Sequence, residues 1–284
     1  MTQAPHPAFL VGLLGQAIQA SRTPALHERE GAELGVRYIY RLIDIEKIGV
    51  TPEALPELVT AAERLGFNGL NITHPFKKAV IPLLSELSDD AQAVGAVNTV
   101  LLRDGKRIGH NTDLFGFYES FRRGFPNVKK KSVVQLGAGG AGSAVAHAAL
   151  KLGIERLTIF DVEPSQAAQL ASALSQRFGA GRAVPSSNLP GAMAEAEGLI
   201  HCTPTGMTSH PGLPLPPELL RPEIWVSEIV YFPLETELLR AAKSLGCRTL
   251  DGGGMAVFQA VEAFRLFTGL QPDPERMLRH FASM

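Results

Sequence analysis

The chain of 284 residues is 45% apolar and 19% charged, with 28 Gly and 20 Pro, a globular composition that excludes a disordered or fibrous polymer. Lys and Arg number 27 against 28 Asp and Glu, a net charge of −1, so no global field draws the chain to nucleic acid or to an anionic membrane. The length predicts two domains, each large enough to bury its own core.

Short apolar runs alternate with longer amphipathic stretches, which predicts an α/β fold of two lobes with mainly parallel strands. In the first lobe strands are expected at 9–14, 37–43, 69–72 and 97–102, separated by helices at 24–34, 52–65 and 75–87. A helix at 113–125 leads to the basic stretch Pro126-Asn127-Val128-Lys129-Lys130-Lys131, which reads as a solvated connection. Beyond it come strands at 132–136, 157–160, 198–200 and 225–230, with helices at 164–178 and 235–245. Two last helices, 255–267 and 274–281, follow Gly252-Gly253-Gly254. That triplet reads as a flexible crossing by which the closing helices return to the first lobe. The resulting division is 1–112 plus 252–284 for one domain and 113–251 for the other.

Cys202 and Cys247 lie far apart without a C-x-x-C spacing, which fits a reducing compartment. Residues 1–7 lack the features of a signal peptide, and no run approaches the roughly 20 apolar residues of a membrane span; a cytoplasmic location is expected. The eight His show no zinc-type clustering, so no metal is expected.

The segment Gly137-Ala138-Gly139-Gly140-Ala141-Gly142 stands between an apolar strand and a helical run. In that context G-x-G-x-x-G predicts a turn whose free N–H groups at a helix N-terminus receive a pyrophosphate. Asp161 ends the next strand, about 20 residues on, where an acid accepts adenosine ribose hydroxyls. No Arg or Lys follows until Arg177, so the pattern favours NAD, with NADP as the weaker possibility.

The first lobe places polar residues after its strands: Ser21-Arg22-Thr23-Pro24, Asn71-Ile72-Thr73-His74-Pro75-Phe76-Lys77, Asn98-Thr99 and Asn111-Thr112-Asp113. Such a rim suits a small, hydroxylated ligand, because open α/β sheets bind beyond the carboxyl ends of their strands. Each element also has a structural explanation. Ser21, Thr23, Thr73 and His74 could cap helices, and Asn98 could occupy a turn. Lys77, beside Lys78 and early in a helix begun by Pro75, is harder to explain structurally, since an ammonium is disfavoured there. With Asp113 it forms a candidate proton-transfer pair.

Taken in order, these segments, with Gly95-Ala96-Val97-Asn98-Thr99, Thr203-Pro204-Thr205-Gly206-Met207, Val230-Tyr231-Phe232-Pro233, Gly254-Met255 and Gln259-Ala260, resemble the shikimate dehydrogenase family nearly end to end, most closely its quinate/shikimate dehydrogenases. The resemblance implies a substrate lobe, a Rossmann lobe and an oxidoreductase that interconverts shikimate or quinate with the 3-dehydro acid. It implies Lys77 and Asp113 as the catalytic pair. Ser21 and Thr23 would bind the carboxylate, and Thr73, Asn98, Asp113 and Gln259 the ring hydroxyls, with Tyr231 near the substrate. Gly137, Ala138, Gly139, Gly140, Ala141 and Asp161 would hold the dinucleotide, with Thr203, Met207 and Gly254 beside it. The expected assembly is a monomer or homodimer.

Three departures stand out. Ser21-x-Thr23 replaces the Ser-x-Ser of many strict shikimate enzymes, Asp161-Val162-Glu163 replaces the Asn-Arg-Thr of NADP-specific ones, and His201 stands where Asn is frequent. An NADP-dependent shikimate enzyme, an aminoshikimate-type enzyme and a non-catalytic sensor of a dinucleotide or shikimate-like ligand are the competing readings.

Overall fold

In the computed structural model, which describes residues 7–284, the chain divides into two compact units. One runs up to Thr112 and takes up again at Val257–Met284; the other is Asp113–Ala256.

The first unit opens with β1 (Ala8–Gly15), α1 (Thr23–Glu33), β2 (Arg37–Asp44), α2 (Ile45–Ile48), α3 (Leu55–Arg64), β3 (Gly69–Ile72), α4 (Phe76–Ala79), β4 (Glu86–Leu87), α5 (Asp89–Val94), β5 (Thr99–Arg103) and β6 (Lys106–His110). The sheet order is β2-β1-β3-β5-β6-β4. β1 is continuously buried from Val11 onward, as expected of a central strand covered on both faces. At the edge, β2 alternates: Tyr38 and Tyr40 face the core while Arg37, Ile39 and Arg41 are exposed. Leu14, Leu70, Ile72, Phe76 and Val97 pack on one face of the sheet, and Val11, Leu13, Tyr38, Tyr40, Phe264 and Phe267 on the other.

The strands are mainly parallel, as expected, but β5 is not: it pairs antiparallel with both β3 and β6. The β5–β6 hairpin turns at Asp104 and Gly105, both with positive φ, the Asp-Gly signature of a two-residue turn. Against expectation, 75–87 is not one helix. A single turn, α4, gives way to a 3-10 turn at Ile81–Leu83 and then to β4, so the ammonium of Lys77 faces no extended helix dipole.

The second unit contains α6 (Thr112–Gly124), β7 (Ser132–Leu136), α7 (Gly140–Lys151), β8 (Arg156–Phe160), α8 (Pro164–Phe178), β9 (Ala183–Pro185), α9 (Leu189–Glu195), β10 (Gly198–His201), β11 (Trp225–Glu228), α10 (Glu237–Ser244) and β12 (Arg248–Leu250). The sheet is wholly parallel, in the order β9-β8-β7-β10-β11-β12. Counted within the unit this is 3-2-1-4-5-6, the doubly wound dinucleotide-binding order, with its switch point between β7 and β10. The chain closes with α11 (Gly253–Thr268) and α12 (Pro274–Ala282). The glycine triplet is not a flexible crossing. Gly253 and Gly254 already belong to α11, and a Cβ at Gly252 would collide with the carbonyl oxygens of Ile229 and Val230. The latter part of α11 and α12 belong to the first unit: Phe267 lies where a Cβ on Gly69 would strike it. Arg276 of α12 pairs with the buried Glu30 of α1 at 2.6 Å. Among the described residues no helix is long and apolar enough to cross a membrane.

Candidate functional site

In the first unit the loop from β1 to α1 carries Ser21 and Thr23, both half-buried. The N-cap of α1 is Arg22 without a side-chain cap bond, and Ser21 Oγ accepts from Thr23 N, the first N–H of the helix, at 3.3 Å. The same Ser21 hydroxyl donates to Thr23 Oγ1 at 3.1 Å. The loop is held from below by Asp44, which the sequence reading missed. Its buried carboxylate accepts from the N–H groups of Ala17 and Ile18, both at 3.1 Å, and from Gln19 Nε2 at 2.9 Å. Burial alone would push the Asp44 carboxyl up. The bonds from Gln19 and from the backbone of Ile18, Glu46 and Ala17 outweigh it and hold the group below its usual range.

Thr73 follows β3; it is half-buried, as is Lys77. The cap position of α4 is Pro75, with no side-chain cap bond, so Thr73 and His74 are not spent as caps. The backbone carbonyl of Lys77 accepts from Val97 N at 2.8 Å, which fixes the lysine against the start of β5. The next residue, Asn98, is buried and is not in a turn. Its Oδ1 accepts from Thr112 N at 2.7 Å, and its Nδ2 donates to Thr112 Oγ1 at 3.0 Å and to Gln259 Oε1 at 3.3 Å. Behind it Tyr40 donates to Asn71 Oδ1 at 2.7 Å, and Asn71 donates to Thr99 Oγ1 at 2.9 Å. Tyr40, Asn71, Thr99 and Thr112 were not singled out as site residues. For Tyr40, Asn71 and Thr99 the signal was a polar side chain at a strand position that had to be buried, while Thr112 opens α6. Asn98 and Gln259, far apart in sequence, are thus brought together.

The second unit holds the remaining candidates. Asp113 is buried in the first turn of α6, immediately after Thr112. Gly137 has φ +100, and a Cβ there would meet Cys202 O at 2.6 Å; one on Gly142 would strike Gly137 O. Close backbone approach therefore requires both glycines. Gln135 ties the turn together by donating to Gly137 O at 2.8 Å and Gly142 O at 2.9 Å. Gly139 caps α7 with no side-chain acceptor on the helix N-terminus, and a Cβ at Gly139 would meet nothing within 4 Å. Open space in front of unsatisfied N–H groups is the arrangement a pyrophosphate requires, so these residues fit a dinucleotide. Gly140 and Ala141 form the first turn of α7. Asp161, just past β8, accepts from Ala138 N at 2.7 Å and Glu163 N at 2.9 Å, which places its carboxylate against the glycine-rich turn. Thr203 is half-buried just past β10, while Met207 and Tyr231 are each 40% exposed. Gly254 packs against Ser120, which a Cβ would strike, so it has a packing reason of its own.

Comparison with known proteins agrees with this architecture. Residues 13–100 match the shikimate dehydrogenase substrate binding domain, and residues 252–280 match the shikimate 5'-dehydrogenase C-terminal domain. The chain is 59% identical to a shikimate dehydrogenase (NADP(+)) of Streptomyces avermitilis, over 98% of this chain and 96% of that one. It is 48% identical to a quinate/shikimate dehydrogenase (NAD(+)) of Corynebacterium efficiens, over 98% and 99%. The solved quinate dehydrogenase from Corynebacterium glutamicum in complex with NAD superimposes with a TM-score of 0.92 at 46% identity, covering 98% of this chain and 100% of that one. On sequence and fold together, the chain belongs to the shikimate dehydrogenase family.

Proposed function

We propose that this chain is an NAD-preferring dehydrogenase that interconverts shikimate, quinate or both with the corresponding 3-dehydro acid. The observation that carries the reading is the hydrogen-bonded set of buried Asn98 and Thr112 with half-buried Gln259 at the end of the first sheet, in a chain whose second unit has the dinucleotide strand order. Lys77 takes the proton from the reacting ring hydroxyl, with Asp113 as its partner. Ser21 and Thr23 hold the substrate carboxylate; Thr73, Asn98, Asp113 and Gln259 fix the ring hydroxyls, and Tyr231 lies beside the substrate. A ring held in one pose with its hydroxyl on a base is poised for oxidation. The bound dinucleotide supplies the hydride acceptor. Residues 137–141 receive its pyrophosphate, Asp161 its ribose, and Thr203, Met207 and Gly254 its nicotinamide end.

Preference for NAD rests on Asp161, whose carboxylate would oppose a 2′-phosphate. The 59% identical relative is named for NADP(+) and the 48% identical one for NAD(+), so NADP use is the second reading. We further propose a cytoplasmic location and a monomeric or homodimeric assembly. Initial rates of reduced-dinucleotide formation with shikimate and quinate, each with NAD and NADP, test the proposal. Turnover with a higher kcat/KM for NAD is expected; a higher value for NADP overturns the cofactor assignment. Binding without turnover in all four combinations would favour an aminoshikimate-type enzyme or a sensor.

A further inference from the structure

His201 ends β10 and Glu228 ends β11, paired in register on neighbouring parallel strands and both buried. Nothing in the proposed reaction uses either. Their side chains meet, His201 Nδ1 lying 2.9 Å from both Oε1 and Oε2 of Glu228. The carboxylate also accepts from Ile229 N at 2.8 Å, Val230 N at 2.9 Å and Thr236 Oγ1 at 3.1 Å. Thr236 is itself the N-cap of α10 and accepts from Leu239 N, so its hydroxyl proton points to Glu228. All of these partners are donors, which assigns the Nδ1 proton to His201. On the other side of the ring Nε2 makes a short hydrogen bond with Thr203 Oγ1. Burial, and then the Glu228 charge, raise the adjacent Cys202 thiol well above its usual range.

In a neutral ring that carries its proton on Nδ1, Nε2 is an acceptor. The Thr203 hydroxyl then donates inward to Nε2, while Thr205 N donates to Thr203 Oγ1 at 3.3 Å. One lone pair of Oγ1 is left for the open side of this half-buried residue. Thr203 also borders the glycine-rich turn: a Cβ on Gly137 would lie 3.1 Å from Thr203 Cγ2. Gly206, three residues on, packs on Thr236, so both ends of the segment are rooted in the same buried chain.

We propose that Glu228 and His201 are positioning residues that turn the Thr203 hydroxyl inward, so that Thr203 meets the dinucleotide as a hydrogen-bond acceptor and selects a donor group on it. The inference rests on the reading of the second unit as a dinucleotide site.

Two measurements test it. The first is a cycle of dissociation constants for NAD, by calorimetry, on His201→Asn, Thr203→Val and the double variant, with Thr203→Ser as the conservative control. Each single variant is expected to weaken NAD about three- to tenfold, the range of one hydrogen bond. Thr203→Ser should stay near wild type, and the double variant should be no weaker than Thr203→Val, because one acts through the other. Multiplying effects, or a Thr203→Val variant that binds NAD normally, would overturn the proposal. The second is the 15N spectrum of the histidine rings in the ligand-free chain, with His201 assigned by its loss in His201→Asn or, if that variant does not fold, by the perturbation of its signals in Thr203→Val. A neutral Nδ1–H ring is expected, whereas an imidazolium or an Nε2–H ring would overturn the assigned hydroxyl direction. If wild type bound neither NAD nor NADP, the dinucleotide reading would fall with the role toward it, while the ring spectrum would still decide where the hydroxyl points.

Discussion

Replacing Asp44 by Asn separates the loop that carries Ser21 and Thr23 from the strand end that holds it. The native carboxylate uses Oδ1 for Ala17 N at 3.1 Å and Glu46 N at 3.2 Å, and Oδ2 for Ile18 N at 3.1 Å and Gln19 Nε2 at 2.9 Å. An amide keeps one oxygen, so two of the four donors lose their acceptor and face an NH2 group instead. Two bonds to a charged group are worth about 1.5–3 kcal/mol each. Gln19 is at the surface and can turn to water, which brings the expected loss to about 2–4 kcal/mol. Much of it should appear as local opening of residues 16–20 rather than global unfolding. The KM for shikimate or quinate should therefore rise about tenfold or more, with kcat and the dinucleotide KM little changed, the pattern of lost uniform binding. Steady-state kinetics varying each substrate separately, with a urea unfolding curve, provides the assay. A lowered urea midpoint with the acid KM within about twofold of wild type would refute the reasoning and leave Asp44 a purely structural acid. Because folding lowers the Asp44 pKa, its contribution is present above the unfolded value near 3.9 and is lost as pH falls through the folded one.

Lys77→Ala should lower kcat by about 10²–10⁴, the usual range for a proton-transfer group, with the dissociation constant of the acid changed only a few-fold; unchanged turnover removes Lys77 from the mechanism. Asp161→Asn should reduce the NAD over NADP ratio of kcat/KM by about tenfold or more, roughly 1.4 kcal/mol, and an unaltered ratio would show that the carboxylate does not set the preference. A Cβ at Gly198 would collide with the Trp225 indole, whose Nε1 donates to Lys129 O at 2.8 Å. Gly198→Ala should destabilise the second unit by about 1–3 kcal/mol, followed by the fluorescence of the single Trp; an unmoved melting curve counts against that packing. His27 is fully buried, and burial lowers its pKa to about 3. Protons therefore favour the unfolded chain below its value of about 6.5, and stability should drop by about 2 kcal/mol between neutral pH and pH ~5. His27→Phe should flatten that slope, and a slope the same in both chains would assign the acid sensitivity elsewhere.

Much of the site was legible because its local rules are strong. The glycine-rich turn announced itself through a strand before it and a helix after it, and Asp161 through its distance from the turn. Strand β3 and helix α8 fall where apolar periodicity put them. What escaped was decided by which groups each side chain reaches once the chain is folded. Gln135 and Glu228 stand as polar residues in largely apolar strands, and only the fold shows that Gln135 ties the turn from Gly137 to Gly142 while Glu228 holds His201. Asp44 reads as the polar end of a strand, yet it anchors a loop some 25 residues earlier. The expected helix at 75–87 failed for a different reason. Pro82 and the short pairing of Glu86 and Leu87 with β6 override a periodicity that single-chain reasoning cannot distinguish from a helix.

The sequence by itself determined the α/β class, the dinucleotide turn and the identities of the polar residues at the strand ends, because hydrophobic period, glycine spacing and side-chain chemistry are local properties. Tertiary structure alone decided which of those residues meet. Asn98 reaches Gln259 across 161 positions because the last long helix returns to the first unit, and His201 meets Glu228 across 27 because parallel strands bring remote carboxyl ends to the same edge of a sheet.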